Sequence, residues 1–205
     1  MNARYKRADR QRIVVTGLGA VSPLGLDVTS TWQGLVEGRS GVSTITAFDT
    51  RDFPTKIAAS VKGFDPTHYL NQREARRMSL FVLYALAVAY EAVTQARLDL
   101  SQQDATRVGV EIGSALGGVS LVEEQRLILE SKGSRQINPT LVPAVLINTA
   151  PCMVAIQLGI KGPVNAPVSA CASGAMALGD AARRLAWGDA DVILAGAAES
   201  VMTPL

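Results

Sequence analysis

One cysteine lies in a stretch that could carry nucleophilic chemistry, Ser169-Ala170-Cys171-Ala172-Ser173-Gly174. An apolar run over 163–168 precedes it and a run of small residues over 175–186 follows it, which predicts a strand, a sharp turn and a helix. The unpaired N–H groups at the start of a helix favour an anion, so a thiol placed there becomes a better nucleophile. A buried structural cysteine is the alternative interpretation, because free cysteines are commonly buried.

Apart from Cys171, the sequence contains one cysteine and one histidine. Cys152 lies in a predicted helix beside Met153 and Ala155, which indicates packing in the core. The only histidine of the sequence, His68, is predicted to be a surface residue. Two cysteines without a CxxC pair and one histidine predict neither a metal site nor a disulfide framework, and they favour a reducing, cytoplasmic setting.

The composition is that of an ordinary globular protein. The 205 residues are 48% hydrophobic and 19% charged, and a formal net charge of +2 gives no basis for nucleic-acid binding. Residues 1–11 are basic and lack the apolar core of a secretory signal, so they are predicted to be a disordered lead-in. The most apolar run, 80–93, is shorter than the ~20 residues that span a bilayer and contains Glu91, so no membrane span is predicted.

Three arginines stand at the start of a predicted helix. Asn71 is predicted to cap a helix over residues 71–96, whose almost entirely apolar middle indicates burial between layers. Arg73, Arg76 and Arg77 then share one face of the first turn, where positive charge opposes the helix dipole. This placement indicates an acidic partner, and a solvated basic turn is the alternative.

Strands alternate with helices along the chain. Short apolar runs predict strands at 13–16, 107–112, 163–168 and 192–196, with a minor one at 57–61. Helices are predicted at 31–37 after a Ser30 cap, at 120–130 after a Ser120 cap, at 149–158 after an Asn148 cap and at 173–187, with an extended segment over 139–143. This alternation predicts an α/β fold in which helices cover both faces of a parallel sheet.

Two glycine-rich stretches follow predicted strands. Gly17-Leu18-Gly19 invites a dinucleotide-binding interpretation, which fails because Ser22 occupies the third glycine position and Pro23 follows it. The loop 113–118 is rich in glycine and other small residues, which lets a ligand or another backbone come close.

Residues 12–205 resemble the N-terminal half of the β-ketoacyl-acyl-carrier-protein synthases, because a series of short stretches matches that family in order and spacing. The resemblance is to the type II elongating enzymes of fatty acid synthesis in particular. The matching stretches are Val14-Val15-Thr16-Gly17-Leu18-Gly19, Thr31-Trp32, Ser40-Gly41, Arg77-Met78, Ile112-Gly113-Ser114, Gly117-Gly118, Pro143, Asn148, Gly162-Pro163, Ala170-Cys171 with Ser173-Gly174, Gly188-Asp189-Ala190-Asp191 and Ala198-Glu199.

The resemblance implies a thiolase-like fold, an αβαβα body of two similar halves of which this chain is the first, and it implies a homodimer. It implies that Cys171 accepts an acyl chain from the phosphopantetheine arm of acyl carrier protein, with the Cys171 backbone N–H in the oxyanion hole. A decarboxylative condensation with malonyl-carrier protein would follow. No metal and no cofactor apart from that arm are implied.

The resemblance also implies roles for residues outside this turn. Leu116 and Leu141 match positions at the acyl pocket, and because several relatives have an aromatic residue at the position of Leu141, chain-length preference stays open. Gln136 departs from the family pattern, in which a basic residue is common there. Docking of the acidic carrier protein is implied for Arg73, Arg76, Arg77 and Arg135.

In this family the cysteine acts with two histidines, a lysine and a phenylalanine that belong to the second half. His68 matches neither histidine, so we expect the chain to be a fragment that does not condense by itself and that exposes apolar surface. A polyketide ketosynthase or an initiating synthase is one alternative. A non-catalytic partner similar to a chain-length factor is another, although such partners commonly lack the cysteine found here at Cys171.

Overall fold

A parallel sheet and a shorter hairpin organise residues 12–205, which are the residues described by the computed structural model. In this part of the chain the helices are α1 Val28–Val36, α2 Gln72–Ala75, α3 Leu80–Gln95, α4 Val119–Lys132, α5 Leu141–Val145, α6 Thr149–Leu158 and α7 Ser173–Trp187. The strands are β1 Val42–Thr44, β2 Ile57–Ala59, β3 Val108–Gly113, β4 Val164–Asn165 and β5 Val192–Ala197. Short 3-10 turns lie at Pro66–His68, Leu100–Gln102, Ala105–Arg107 and Ser134–Gln136.

The parallel sheet has the strand order β4-β3-β5. Strand β3 is buried along its whole length and pairs with β5 from Val108 opposite Val192 to Gly113 opposite Ala197. Strand β4 pairs over only two residues, whereas the apolar run predicts a strand over 163–168. Prolines at both ends of this run account for its short pairing, because proline has no N–H to donate to a neighbouring strand.

Helices cover both faces of β3. Val108, Val110 and Ile112 face the main core, where α6 packs on the strand and α3 packs on α6. Helix α7 packs on β3 and β5 at the opposite face. The predicted arrangement of helices on both faces is therefore confirmed for β3. The predicted burial of β5 is wrong, because its residues are partly or fully exposed and it pairs on one side alone within residues 12–205.

The predicted helix over 71–96 is two helices. Asn71 caps α2 as expected, since its side chain accepts the Glu74 N–H at 3.0 Å. The helix then stops after four residues, and Ser79 has extended backbone (φ −71°, ψ 152°) before α3 begins. The buried Ser79 hydroxyl donates to the Ala144 carbonyl at 2.7 Å, a contact with a distant part of the chain that holds this break in place. Burial of α3 is confirmed over its first three turns.

The predicted first strand, 13–16, is not a strand. Val14 and Val15 are 66% and 78% exposed, and the residues that follow, 17–20, run along α3. The Leu18 N–H donates to Gln95 Oε1 at 2.6 Å, and the Ala20 N–H donates to Glu91 Oε2 at 2.8 Å. Two glycines, Gly17 and Gly19, allow this approach, since a Cβ atom on either would collide with a carbonyl oxygen of α3.

Two helix starts differ from prediction because the predicted cap side chains, Ser30 and Ser120, bond elsewhere. Helix α1 begins at Val28, and Asp27 caps it by accepting the Ser30 N–H at 2.6 Å. Hydrogen bonds from the Ser30 backbone and hydroxyl hold the pKa of Asp27 below its usual value. Helix α4 begins at Val119, and the Ser120 hydroxyl donates instead to the Ser200 carbonyl at 2.9 Å.

The segment predicted to be extended over 139–143 contains the start of α5. Pro143 is its third residue, in the first turn, where a missing N–H costs no internal hydrogen bond. Helix α6 has the predicted bounds, although the Asn148 side chain makes no capping hydrogen bond. Helix α7 also has its predicted bounds and ends at Gly188, whose φ of +79° is left-handed.

The region between α1 and α2 holds a two-stranded hairpin where the sequence predicts one minor strand. Strand β1 pairs antiparallel with β2, and Val42 lies opposite Ala59. The predicted basic lead-in, residues 1–11, lies outside the described residues. Over residues 12–205, no helix is both long enough and apolar enough to cross a membrane.

Candidate active site

Cys171 lies in a tight turn between β4 and α7. The Ala172 N–H donates to the Ser169 carbonyl at 2.9 Å, and the Ser173 N–H donates to the Ala170 carbonyl at 3.1 Å. Ala170 has φ of +47°, a left-handed conformation that strains any residue with a Cβ atom. The turn leaves Cys171 exposed with a free thiol, two residues before the first residue of α7.

Ser173 holds the turn from inside. Its hydroxyl oxygen accepts the Ser169 N–H at 2.9 Å and donates to the Ala170 carbonyl at 2.7 Å, and the residue is 2% exposed. The sequence predicts no role for Ser173. The available signal was a small hydroxyl residue at the start of a predicted helix, a position typical of local side-chain to backbone bonds.

The backbone N–H of Cys171 is available to a ligand. Within residues 12–205 it has no hydrogen-bond acceptor, and the first helical bond of α7 to this turn runs from the Met176 N–H to the Ala172 carbonyl at 2.9 Å. The exposed thiol and this N–H therefore stand at the N-terminus of a 15-residue helix. Such a position favours negative charge on a ligand oxygen or on the sulfur.

The loop after β3 lies at the same edge of the sheet, since the carboxyl ends of parallel strands meet there. The Ser114 carbonyl is 3.4 Å from the Ser173 hydroxyl. Glu199, which follows β5, accepts the backbone N–H groups of Ala115 at 2.7 Å and Leu116 at 3.1 Å. In the sequence Glu199 stands out only as part of the matching stretch Ala198-Glu199, and no local pattern predicts its contact with this loop.

Leu116 and Leu141, the candidate acyl-pocket residues, lie on neighbouring segments. Leu116 is 59% exposed in the loop, and Leu141 is half-buried as the first residue of α5. The Gly118 N–H donates to the Val145 carbonyl of α5 at 3.1 Å and so joins the two segments. Gly117 has φ of +60° and would bring a Cβ atom to 2.8 Å from the same carbonyl, so only glycine fits there.

The four candidate docking arginines are exposed, and none forms an ion pair within residues 12–205. Because α2 ends at Ala75, Arg76 is its C-cap and Arg77 follows, so neither lies in the first turn of a long helix as predicted. The argument from the helix dipole is therefore wrong for Arg76 and Arg77. Arg135 lies beyond the C-terminus of α4, a helix about 20 Å long.

Other candidate residues behave as packing or surface residues. His68 is exposed, and its ring lies against Tyr69 with centroids 6.3 Å apart. Cys152 is partly buried on α6. Within the described part of the chain, no group of three metal-ligating side chains comes together. A cleft lies between the start of α3, Gly117-Gly118 and α4, and Cys171 does not line it.

A buried ion pair fastens α7 to the sheet, and sequence reasoning missed it. Glu111 in β3 is fully buried, and Arg184 Nε lies 2.5 Å from its Oε1. The contact is an ion pair with poor hydrogen-bond direction, so neither carboxylate oxygen has a well-aligned donor within residues 12–205. A glutamate inside a strand predicted to be buried was the available signal.

The chain is similar to curated proteins named 3-oxoacyl-(acyl-carrier-protein) synthase 2 from several bacteria. The chain is 41% identical over 196 residues to 3-oxoacyl-(acyl-carrier-protein) synthase 2 of Vibrio cholerae, covering 96% of this chain and 47% of that protein. It is 43% identical over 197 residues to the protein of the same name from Coxiella burnetii, covering 96% and 48%. The chain therefore spans about half the length of the curated relatives that it matches.

Solved structures share the fold. The ishigamide ketosynthase/chain length factor has a TM-score of 0.87 at 27% identity, covering 94% of this chain and 48% of that one. A β-ketoacyl synthase from Burkholderia phymatum has a TM-score of 0.79 at 29% identity, covering 95% and 48%. A type II PKS acyl-carrier protein in complex with its ketosynthase has a TM-score of 0.78 at 26% identity, covering 95% and 52%.

These likenesses confirm the predicted α/β, thiolase-like fold for its N-terminal portion. The family model for the N-terminal domain of β-ketoacyl synthase matches residues 10–205, which is nearly the whole chain. The turn that carries Cys171, the glycine-rich loop and the parallel sheet all lie inside the matched range. The chain belongs to the β-ketoacyl synthase family and contains its N-terminal domain.

Proposed function

We propose that this chain provides the acyl-accepting half of a β-ketoacyl-acyl-carrier-protein synthase of fatty acid biosynthesis, with Cys171 as the nucleophile. The observation that carries the proposal is the exposed Cys171 thiol in a strained turn, directly before α7 at the carboxyl edge of the sheet. A sharp turn of this kind separates the reactive side chain from its neighbours and leaves space for a substrate.

The reaction proposed for this chain is a thioester exchange. The Cys171 sulfur attacks the carbonyl carbon of an acyl thioester, and the carbonyl oxygen takes up the negative charge. The Cys171 N–H stabilises that oxygen as a hydrogen-bond donor. Collapse of the tetrahedral intermediate breaks the bond to the phosphopantetheine sulfur, which leaves as a thiol once protonated, and the acyl group remains on Cys171. The family's next step is a decarboxylative condensation with malonyl-carrier protein.

The proposed partner is acyl carrier protein, whose phosphopantetheine arm brings the acyl group. The Vibrio and Coxiella relatives carry acyl carrier protein in their names, and one structural neighbour is a complex with it. The arginines Arg73, Arg76, Arg77 and Arg135, which are exposed and form no ion pair within residues 12–205, would receive its acidic surface. We further propose Leu116 and Leu141 as acyl-pocket residues, a homodimer, a cytoplasmic location and no requirement for a metal or another cofactor.

The experiment is acylation of the chain by fatty acyl-carrier protein, read by intact mass and peptide mapping. The two cysteines supply a matched pair of variants, Cys171→Ala and Cys152→Ala. We expect one acyl group on the wild-type chain and on Cys152→Ala, and none on Cys171→Ala. Acylation that persists in Cys171→Ala, or none in the wild-type chain, contradicts the proposal.

The same mixture with malonyl-carrier protein added tests the condensation step. We expect acyl-Cys171 to accumulate without β-ketoacyl product, because the only histidine of the sequence, His68, lies exposed against Tyr69. Product formed at a rate typical of an intact enzyme contradicts this expectation.

A second candidate is the ketosynthase of a type II polyketide pathway. Two of the structural neighbours are a ketosynthase/chain length factor and a type II PKS carrier protein with its ketosynthase, at 27% and 26% identity. The 41% and 43% identities to fatty acid relatives favour the first candidate. Acylation rates from a fatty acid carrier protein and from a type II PKS carrier protein, measured side by side, distinguish the two pathways.

A further inference from the structure

The carboxylate of Glu199 makes an unusual set of contacts just beyond β5. Its Oε2 accepts two backbone N–H groups of the loop after β3, from Ala115 at 2.7 Å and from Leu116 at 3.1 Å. Its Oε1 lies 3.3 Å from the Ser200 nitrogen. One charged side chain thus holds two consecutive N–H groups that are more than eighty positions away in sequence.

The rest of this loop depends on weaker or more local contacts. The Gly117 N–H donates to the Ser114 hydroxyl at 3.1 Å, and the Gly118 N–H donates to the Val145 carbonyl at 3.1 Å. These bonds fix the two ends of the segment 114–118. The middle of the loop, which carries the Leu116 side chain, is held by Glu199. Bonds from N–H groups to a carboxylate are roughly twice as strong as neutral ones.

The loop adjoins the turn that carries Cys171 through two serines, Ser114 and Ser173. The Ser114 carbonyl is 3.4 Å from the Ser173 hydroxyl, and that hydroxyl makes its shorter bond, 2.7 Å, to the Ala170 carbonyl next to Cys171. Leu116 is two residues from Ser114 and 59% exposed, and its loop lies at the carboxyl edge of the sheet, where the Cys171 turn also lies.

We propose that Glu199 is a positioning residue that sets the place of Leu116, and through it the chain length of the group that reaches Cys171. The inference rests on the proposed function for its biological meaning. Its physical content is narrower: removing the charge of Glu199 loosens the 114–118 loop and changes how the site discriminates between short and long alkyl chains.

The test uses the 205-residue chain and two thiol reagents that need no carrier protein, N-ethylmaleimide and N-octylmaleimide. The thiol adds across the maleimide double bond, and peptide mapping reports the rate at Cys171 alone. The measured quantity is the ratio of octyl to ethyl rates, divided by the same ratio for glutathione. Glu199→Gln keeps the shape of the side chain and removes its charge, and Glu123→Gln on α4 makes the same change away from the loop.

We expect Glu199→Gln to move this normalised ratio by about threefold or more toward 1, the value for glutathione. The reason is that an amide oxygen holds an N–H about half as strongly as a carboxylate does. Hydrogen exchange at Ala115 and Leu116 should speed up in the same variant, and Glu123→Gln should change neither quantity. Faster exchange with an unchanged ratio overturns the proposal, since Glu199 is then structural only. An unchanged ratio with unchanged exchange overturns it as well.

Leu116→Ala tests the same inference even if the Glu199→Gln variant does not fold. It removes the side chain that Glu199 is proposed to place, so it should shift the maleimide ratio in the same direction as Glu199→Gln. A ratio unaffected by Leu116→Ala overturns the inference whether or not Glu199→Gln folds. Acylation by fatty acyl-carrier protein, run in parallel, tests the proposed function separately. A shifted maleimide ratio without acylation supports the role of Glu199 and contradicts the proposed function.

Discussion

Cys171 owes its position to the backbone conformation of the residue before it. Ala170 has φ of +47°, where the Cβ atom crowds the following carbonyl at a cost of roughly 1–2 kcal/mol. The bonds from Ser173 to both sides of the turn hold this conformation. Strain of this kind persists where the surrounding structure imposes it, and it commonly marks functional sites.

A glycine at position 170 should relieve this strain. We expect Ala170→Gly to raise the free energy of unfolding by up to about 1 kcal/mol, because the strain removed exceeds the backbone entropy that glycine adds to the unfolded chain. Ala182→Gly is the matched control, since Ala182 lies in the middle of α7 with ordinary helical backbone and should lose about 0.5–1 kcal/mol. Urea unfolding measures both, and equal destabilisation by the two variants contradicts the strain argument.

An ion pair between Arg184 and Glu111 joins helix α7 to strand β3, whereas most helix–sheet contacts are apolar. Glu111 is fully buried, while the Arg184 side chain is 34% exposed and also lies 3.8 Å from Asp189. Removing a cation from a buried carboxylate leaves an uncompensated charge, whereas removing the carboxylate leaves an arginine that can still reach water. Loss of Arg184 should therefore lower the free energy of unfolding more than loss of Glu111.

We expect Arg184→Met to lower the free energy of unfolding by about 3 kcal/mol, the lower end of the range for buried pairs because Arg184 is partly exposed. The double variant Glu111→Val with Arg184→Met should recover most of that loss. Arg183→Met, which breaks a surface pair with Asp180 on the same helix, should cost less than about 1 kcal/mol. Thermal and urea unfolding of the four proteins measures the difference, and equal losses from Arg183→Met and Arg184→Met contradict it.

The element scale also shows how far local patterns reach. The bounds of α6 and α7 and the burial of β3 follow from periodicity and punctuation in the sequence, as predicted. The break at Ser79 does not, because it depends on a hydrogen bond to Ala144, sixty-five residues away. A local pattern can predict a helix cap or an apolar face, but it cannot predict a hydrogen-bond acceptor that is distant in sequence.

The molecule as a whole exposes several large apolar side chains. Trp187 at the end of α7 is 75% exposed, and Trp32 on α1 is 64% exposed together with Leu35 and Val36 on the same helix. Apolar side chains exposed on a regular helix face are typical of surfaces that pack against another protein. The predicted homodimer is one arrangement that would cover them.

We expect the 205-residue chain to self-associate in solution, because burial of such side chains from water is favourable. Sedimentation velocity should show an apparent mass that rises with protein concentration. Trp187→Ser and Trp32→Ser, tested separately, should weaken the association when the substituted residue belongs to the contact. A monomer at every concentration contradicts the prediction.

The sequence by itself determined the family, the parallel α/β architecture and the placement of Cys171 at the start of α7, since each depends on residue types at short spacing. The tertiary structure alone decided that 17–20 lies along α3, that Glu199 holds Ala115 and Leu116, and that Glu111 meets Arg184. The physical reason is the range of the interactions. Helix caps, glycine turns and apolar periodicity act within a few residues, whereas a charge or carbonyl finds its partner only after the chain has folded.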